Sequence, residues 1–313
     1  MKTIATFPHL GFYTPIFYNL IKKLDVEVIT PGEITEEIIK KGVRHSPEMV
    51  CFPFKVSLGS LMDSLEKGAN TIIHFDSCGE CRFRHYWIIQ KQILEEQGYK
   101  FSIIPLRTKT LLGGMKAINK KNSYLKIFKT LKSTWNEINK AEKARDEFNL
   151  NIDKNEINIL IFGEIYTVLE YSINFKVVEK LRKFGAKPKL AISLSHFIGE
   201  PILKKRPIYL KEAKQYINGP IGGHGLESIA HTIYAAKHGF DGVMHIEPLS
   251  CMPETMVEPI INSLCQKNGL GLLRLAIDET NSELNLETRL ETFIEIIKRK
   301  KYAAKSTTSL VRH

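Results

Sequence analysis

Short apolar runs bounded by turn residues alternate with helix-length amphipathic stretches along this chain, and the alternation starts afresh near its middle. That rhythm is the strongest constraint on the fold. A strand that is followed by a helix and then another strand returns in parallel and builds a sheet covered by helices. Runs at 4–7, 26–29, 71–75 and 101–105 read as strands of a first domain, with helices expected at 14–23, 35–41, 56–67 and 84–97. Thr30-Pro31-Gly32 marks a turn and Gly98 closes a helix. The pattern restarts with strands at 157–162, 189–194, 242–246 and 272–277, and helices at 176–184, 226–238, 254–266 and 286–301. The expected class is α/β, with two doubly wound, mainly parallel-sheet domains. The first spans 1–110 and the second 156–302, and 303–313 reads as a disordered tail.

Between them, 111–155 reads as a helical connector. Leu125, Ile127, Phe128, Leu131, Trp135, Ile138 and Ala141 recur at helical spacing among lysines, as a packing stripe does. The net charge of +11 admits nucleic acid, a membrane surface or anionic partners. Much of the excess falls in 116–154 and in Lys298-Arg299-Lys300-Lys301, both read as solvated helix faces. No nucleic-acid motif is present, and neither nucleic acid nor a membrane is an expected partner. No apolar run approaches the roughly 20 residues of a membrane helix. The N-terminus reads as a strand without signal-peptide architecture, so a cytoplasmic, reducing location is expected. Five cysteines in such a compartment argue for metal binding or catalysis over disulfides.

Cys51, Cys78 and Cys251 fall where buried strands are expected to end, the place where open α/β folds do ligand chemistry. Cys78-Gly79-Glu80-Cys81 has the C-x-x-C spacing that converges two sulfurs on one site. Cys51-Phe52-Pro53 and Cys251-Met252-Pro253 repeat one design, a cysteine followed two residues later by proline at a helix start. A helix N-terminus favours the thiolate, and thiolates are what iron–sulfur clusters need. Ordinary buried cysteines, structural zinc and a redox dithiol remain as alternatives, although a dithiol leaves Cys51 and Cys251 unexplained. Cys265, inside a helix, reads as packing.

Gly222-Gly223-His224-Gly225 precedes a helix and is a candidate binding loop, presenting backbone N–H groups to an anion or forming a plain turn. It matches neither a P-loop nor a dinucleotide fingerprint. His224 could donate to a cluster sulfide or a substrate oxygen. Glu164 and Asp278, at strand ends, could line a cleft or cap helices. His224 and Glu164 are the candidate catalytic groups. His245 and Glu247 flank the strand before Cys251, and His74 reads as a core histidine.

Taken together, Cys51-Phe-Pro-Phe-Lys55, Asp76-Ser-Cys-Gly-Glu-Cys81, Gly222-Gly-His-Gly225, the stretch from Asp241 to Glu254, and Asp278-Glu-Thr280 with 288–293 resemble the 2-hydroxyacyl-CoA dehydratase superfamily. The resemblance is to its activase-associated branch, also described as CoA-substrate-specific enzyme activase-related. It implies an anaerobic protein with a [4Fe–4S] cluster between two α/β domains, reduced to low potential by a separate ATP-hydrolysing activase of actin-like fold. Three cysteines hold the cube in the dehydratases and one iron stays open to substrate. Carried onto this chain, Cys51, Cys78 and Cys251 are the implied ligands, with Cys81 as a fourth. A fourth thiolate would close the open iron and favour electron transfer over substrate chemistry. The expected function is a [4Fe–4S] protein relaying electrons from the activase, as a homo- or hetero-oligomer. The alternatives are a radical dehydratase or reductase acting on an acyl-CoA or other small molecule, and a structural zinc protein or assembly subunit.

Overall fold

A computed structural model describes residues 2–75, 81–107, 110–197 and 209–310. The chain divides into two compact units, 1–142 and 143–313. The first is built from β1 (Ile4–Thr6), α1 (Thr14–Lys22), β2 (Glu27–Val28), α2 (Glu36–His45), α3 (Phe52–Glu66), β3 (Thr71–Phe75), α4 (Tyr86–Glu96), β4 (Ser102–Leu106), α5 (Leu111–Ile118) and α6 (Tyr124–Lys143). Its sheet has the order β2-β1-β3-β4, and every pairing is parallel. Chain order reverses between β1 and β3. That switch point is where an open α/β sheet leaves a crevice at its strand ends.

Local chemistry accounts for the helices. Thr35 caps α2 by accepting from Ile38 N, with Glu36 and Glu37 in the first turn and Arg44 and His45 in the last. Both charge placements oppose the helix dipole. α3 is buried along almost its whole length, from Phe52 to Leu65. It meets α2 backbone to backbone at glycines: a Cβ on Gly42 would lie 1.8 Å from the Lys55 carbonyl oxygen, and one on Gly59 2.0 Å from that of Ile38. This crossing fixes the direction in which α3, and Cys51 before it, points. The strand expected just before Cys51 is not formed. Residues 47–50 make a turn between α2 and α3, because Pro47 has no N–H to give a ladder and Met49 stays in solvent.

The segment expected to connect the domains starts within the first unit. Asn119 and Asn122 both donate through Nδ2 to the Leu24 carbonyl oxygen, at 2.9 and 2.7 Å. Lys126 pairs with Asp25, Lys23 with Glu137, and the Tyr13 hydroxyl donates to Glu142 at 2.7 Å. α6 buries Ile127, Thr130, Thr134 and Ile138.

The second unit holds β5 (Ile157–Gly163), α7 (Ile165–Leu169), α8 (Val177–Lys183), β6 (Ala186–Leu190), α9 (Leu210–Ala213), α10 (Gly225–Lys237), β7 (Gly242–Pro248), α11 (Met252–Lys267), β8 (Gly271–Ile277) and α12 (Glu283–Leu310). Its sheet order, β6-β5-β7-β8, repeats that of the first unit and is again parallel throughout. The central strands β5 and β7 are buried at every position, as strands covered on both faces must be. β6 begins right after Gly185 and not at Lys189 as the sequence pattern implied. Lys187 and Lys189 hide the strand in the sequence, yet Lys189 is buried and reaches Asp146 at 3.1 Å. α12 runs through residues read as a tail, to Leu310.

Candidate functional site

In the second unit the chain leaves β5 through Gly163, whose φ is +140°. A Cβ there would strike the Ile246 carbonyl oxygen of β7 at 1.8 Å, so only glycine lets the strands approach at this point. Glu164 follows as the cap of α7. Its carboxylate accepts from Tyr166 N at 3.0 Å, Thr167 N at 2.8 Å and the Thr167 hydroxyl at 2.7 Å. Burial raises its pKa against those three donors, with the Glu254 charge adding to the rise. Of the two roles open to Glu164, the structure realises the cap.

β7 ends at Pro248, and the turn passes Ser250, at φ +68°, to Cys251. Cys251 is the buried N-cap residue of α11, with Pro253 in the helix's first turn. Its carbonyl oxygen already accepts from Thr255 N at 3.0 Å. The glycine-rich loop lies directly against this turn. A Cβ on Gly223 would be 3.1 Å from Pro253 Cγ, and one on Gly225 2.6 Å from the Pro253 carbonyl oxygen. The loop and the cysteine turn, far apart in sequence, thus form one surface. His224 caps α10, its ring centroid 5.2 Å from that of Phe197. Burial holds its imidazole below the ordinary histidine value, against the pull of the Glu254 carboxylate.

Beneath that surface Glu254 Oε2 receives the Ser228 hydroxyl at 2.8 Å and meets His245 Nε2 at 2.8 Å, all three side chains being buried. Ser228 sits in the first turn of α10, Glu254 in the first turn of α11, and His245 in β7. The network therefore joins the helix that starts at His224 to the helix that starts at Cys251 and ties both to the sheet. The sequence reading singled out neither Ser228 nor the role of Glu254. An acidic residue in a first helical turn looks like dipole compensation, and only the register of β7 shows that His245 faces it.

In the first unit Cys51 is the N-cap residue of α3, with Pro53 in the first turn, the same arrangement as Cys251 on α11. Its Sγ lies 2.9 Å from the Tyr86 hydroxyl, at the start of α4. Burial, with the Cys51 charge next, pushes the Tyr86 phenol far up, so it keeps a proton to offer the sulfur. The Cys81 carbonyl oxygen accepts from Arg84 N at 3.2 Å, in the turn that leads to Tyr86. Tyr86, which meets Cys51, thus follows the C-x-x-C segment by one short turn of chain. Cys78 lies outside the described residues. Cys265 is buried inside α11, where burial pushes its thiol up to about 12, as suits packing and not ligation. Among the described residues no three of His, Cys, Asp and Glu are grouped to hold a metal ion. The donors nevertheless suit a thiolate-bound group in kind. Cys51 and Cys251 each stand at the N-terminus of a long helix, where the dipole favours the ionised sulfur.

Residues 9–74 match the family model described as CoA enzyme activase uncharacterised domain. The matched stretch runs from just after β1 to His74 in β3 and includes Cys51 and the α2–α3 crossing. It stops short of the C-x-x-C segment. A search of curated proteins finds no match. Among solved structures, a metal-free mutant of a periplasmic metal binding protein from candidatus liberibacter asiaticus is similar at 11% identity and TM-score 0.33. That alignment covers 95% of this chain and 100% of that one. The periplasmic zinc binding protein TroA from Treponema pallidum is similar at 10% identity and TM-score 0.26, over 95% of this chain and 98% of that one. Neither likeness carries an argument about this chain. No helix among the described residues is long and apolar enough to cross a membrane.

Proposed function

We propose that this protein carries a [4Fe–4S] cluster on Cys51, Cys78, Cys81 and Cys251 and relays low-potential electrons from an ATP-dependent activase on a separate chain. The observation that carries the reading is the repeated construction in the two units: cysteine at the N-cap of a long helix, proline in its first turn. The activase-associated match supports the partner class. Such a cluster, when bound, takes up and passes on single electrons. The chain's own residues would set its surroundings. The helix N-termini favour thiolates, the Tyr86 hydroxyl is placed to donate to Cys51 sulfur, and the Gly222–Gly225 loop with His224 closes over the Cys251 turn. Glu254, held by Ser228 and His245, fixes that turn.

The test is anaerobic purification with iron, sulfide and zinc analysis, and EPR after reduction. About four irons and four sulfides per chain are expected. Cys51→Ala, Cys78→Ala and Cys251→Ala should each lose or degrade the cluster, and Cys265→Ala should keep it. Cys81→Ser with unchanged iron and spectrum would leave three thiolates and an open iron, the arrangement of a dehydratase and not of a relay. Stoichiometric zinc without labile sulfide would overturn the redox reading altogether.

A further inference from the structure

The outward face of α6 does not behave as the packing stripe its sequence suggests. Tyr124, Leu125 and Phe128 are 60%, 64% and 62% exposed, while the opposite face of the helix packs through Ile127, Thr130, Thr134 and Ile138. Three large apolar side chains thus stand out within the first two turns. Helical spacing gives Leu125 a lysine one turn on, Lys129, and Phe128 another, Lys132, while Lys120 and Lys121 lie in the turn just before the helix. Along the chain the charge around them is of one sign, although Lys126 pairs in space with Asp25. Residues 97–136 hold nine Lys and Arg and no Asp or Glu. Some exposed lysines elsewhere have an acidic partner one helical turn away, as in Lys40–Glu36 and Lys67–Asp63. Among the described residues Lys120, Lys121, Lys129 and Lys132 make no ion pair.

We propose that this face of α6 is a docking surface for an anionic phospholipid membrane, with Tyr124, Leu125 and Phe128 entering the headgroup region and the surrounding lysines lying over lipid phosphates. Charge complementarity and residue type select the occupant. Protein interfaces are depleted in lysine at their centres and gather arginine and aromatic anchors into pockets, whereas these apolar groups protrude. Nucleic-acid and phosphate-fork recognition favours arginine, and the patch itself has lysine alone. A polar face rich in lysine beside exposed Leu, Phe and Tyr is the pattern of a helix lying at a membrane surface. The association is peripheral and reversible, and it replaces the solvated face expected from the sequence. It is independent of the cluster reading.

The experiment is co-sedimentation of the full chain with vesicles of phosphatidylglycerol and phosphatidylcholine in equal parts, and with phosphatidylcholine alone, at low and high salt. Binding to the anionic vesicles that weakens with salt is expected. Lys121→Gln/Lys129→Gln/Lys132→Gln should weaken it by about a hundredfold, at about fivefold per lysine. Leu125→Ser/Phe128→Ser should weaken it at least about tenfold without changing the melting curve, since both side chains are exposed. No binding to anionic vesicles, or equal binding to neutral ones, overturns the proposal. Binding that survives the serine variant and is competed away by single-stranded oligonucleotide also overturns it, and marks a general polyanion surface instead.

Discussion

Burial alone pushes the imidazole of His74, inside β3, down to about 4. An unfolded chain binds that proton from about pH 6.5 downward, and the folded one does not until about pH 4. Between these values the unfolded state holds the extra proton, so stability falls as pH falls, by about 1.4 kcal/mol per unit. Denaturant midpoints measured from pH 7 to pH 4.5 should drop accordingly, and His74→Leu should flatten the slope. An unchanged slope in that variant would place the acid sensitivity elsewhere. His74 was legible as a core histidine because a strand of apolar neighbours surrounds it. Cys51 and Cys251 were legible as helix starts for a local reason too, since a cysteine two residues before proline announces its own cap. The Ser228–Glu254–His245 network was not legible. Its three members come from two helices and a strand, and no spacing along the chain relates them.

Elements followed the sequence wherever apolar period and turn residues agreed. β3 spans the residues expected, and the helices on either side of β7 start and stop within a few residues of their expected ends. The departures are where chemistry and pattern disagree. β6 carries lysines in a strand, one of them buried on an aspartate, and the turn before Cys51 has a proline where a ladder would need an N–H. The α2–α3 crossing is a further element-level feature, invisible in sequence because glycine within a helix reads only as a weak helix former. At Gly59 the added methyl of Gly59→Ala would gain helix propensity but collide with the Ile38 carbonyl, which backbone cannot yield without shifting α2. The collision wins. The variant should lose stability at or above the upper end of the roughly 1–3 kcal/mol typical of overpacking, whereas Gly98→Ala, with open space but φ at +84°, should lose less. Thermal or urea unfolding of both variants checks the order, and a stable Gly59→Ala would show that the helices can slide apart.

At the scale of the molecule, the two units have the same strand order and each owns a complete four-stranded parallel sheet with its own core. Long-range pairing within each unit closes without help from the other, so each should fold when expressed alone as 1–142 or 143–313. Far-UV circular dichroism with a cooperative melt for each piece is the expected result. The proposed ligands do not divide so cleanly. Cys51, Cys78 and Cys81 belong to the first unit and Cys251 to the second. If all four hold one cluster, neither piece should retain about four irons after anaerobic reconstitution, and mixing the pieces should restore part of the content. A full, stable cluster on 1–142 alone would remove Cys251 from the ligand set while leaving the fold reading untouched. Iron bound by the full chain but by neither piece nor by their mixture, with both pieces folded, would mean that covalent continuity of the chain is needed to bring the cysteines together.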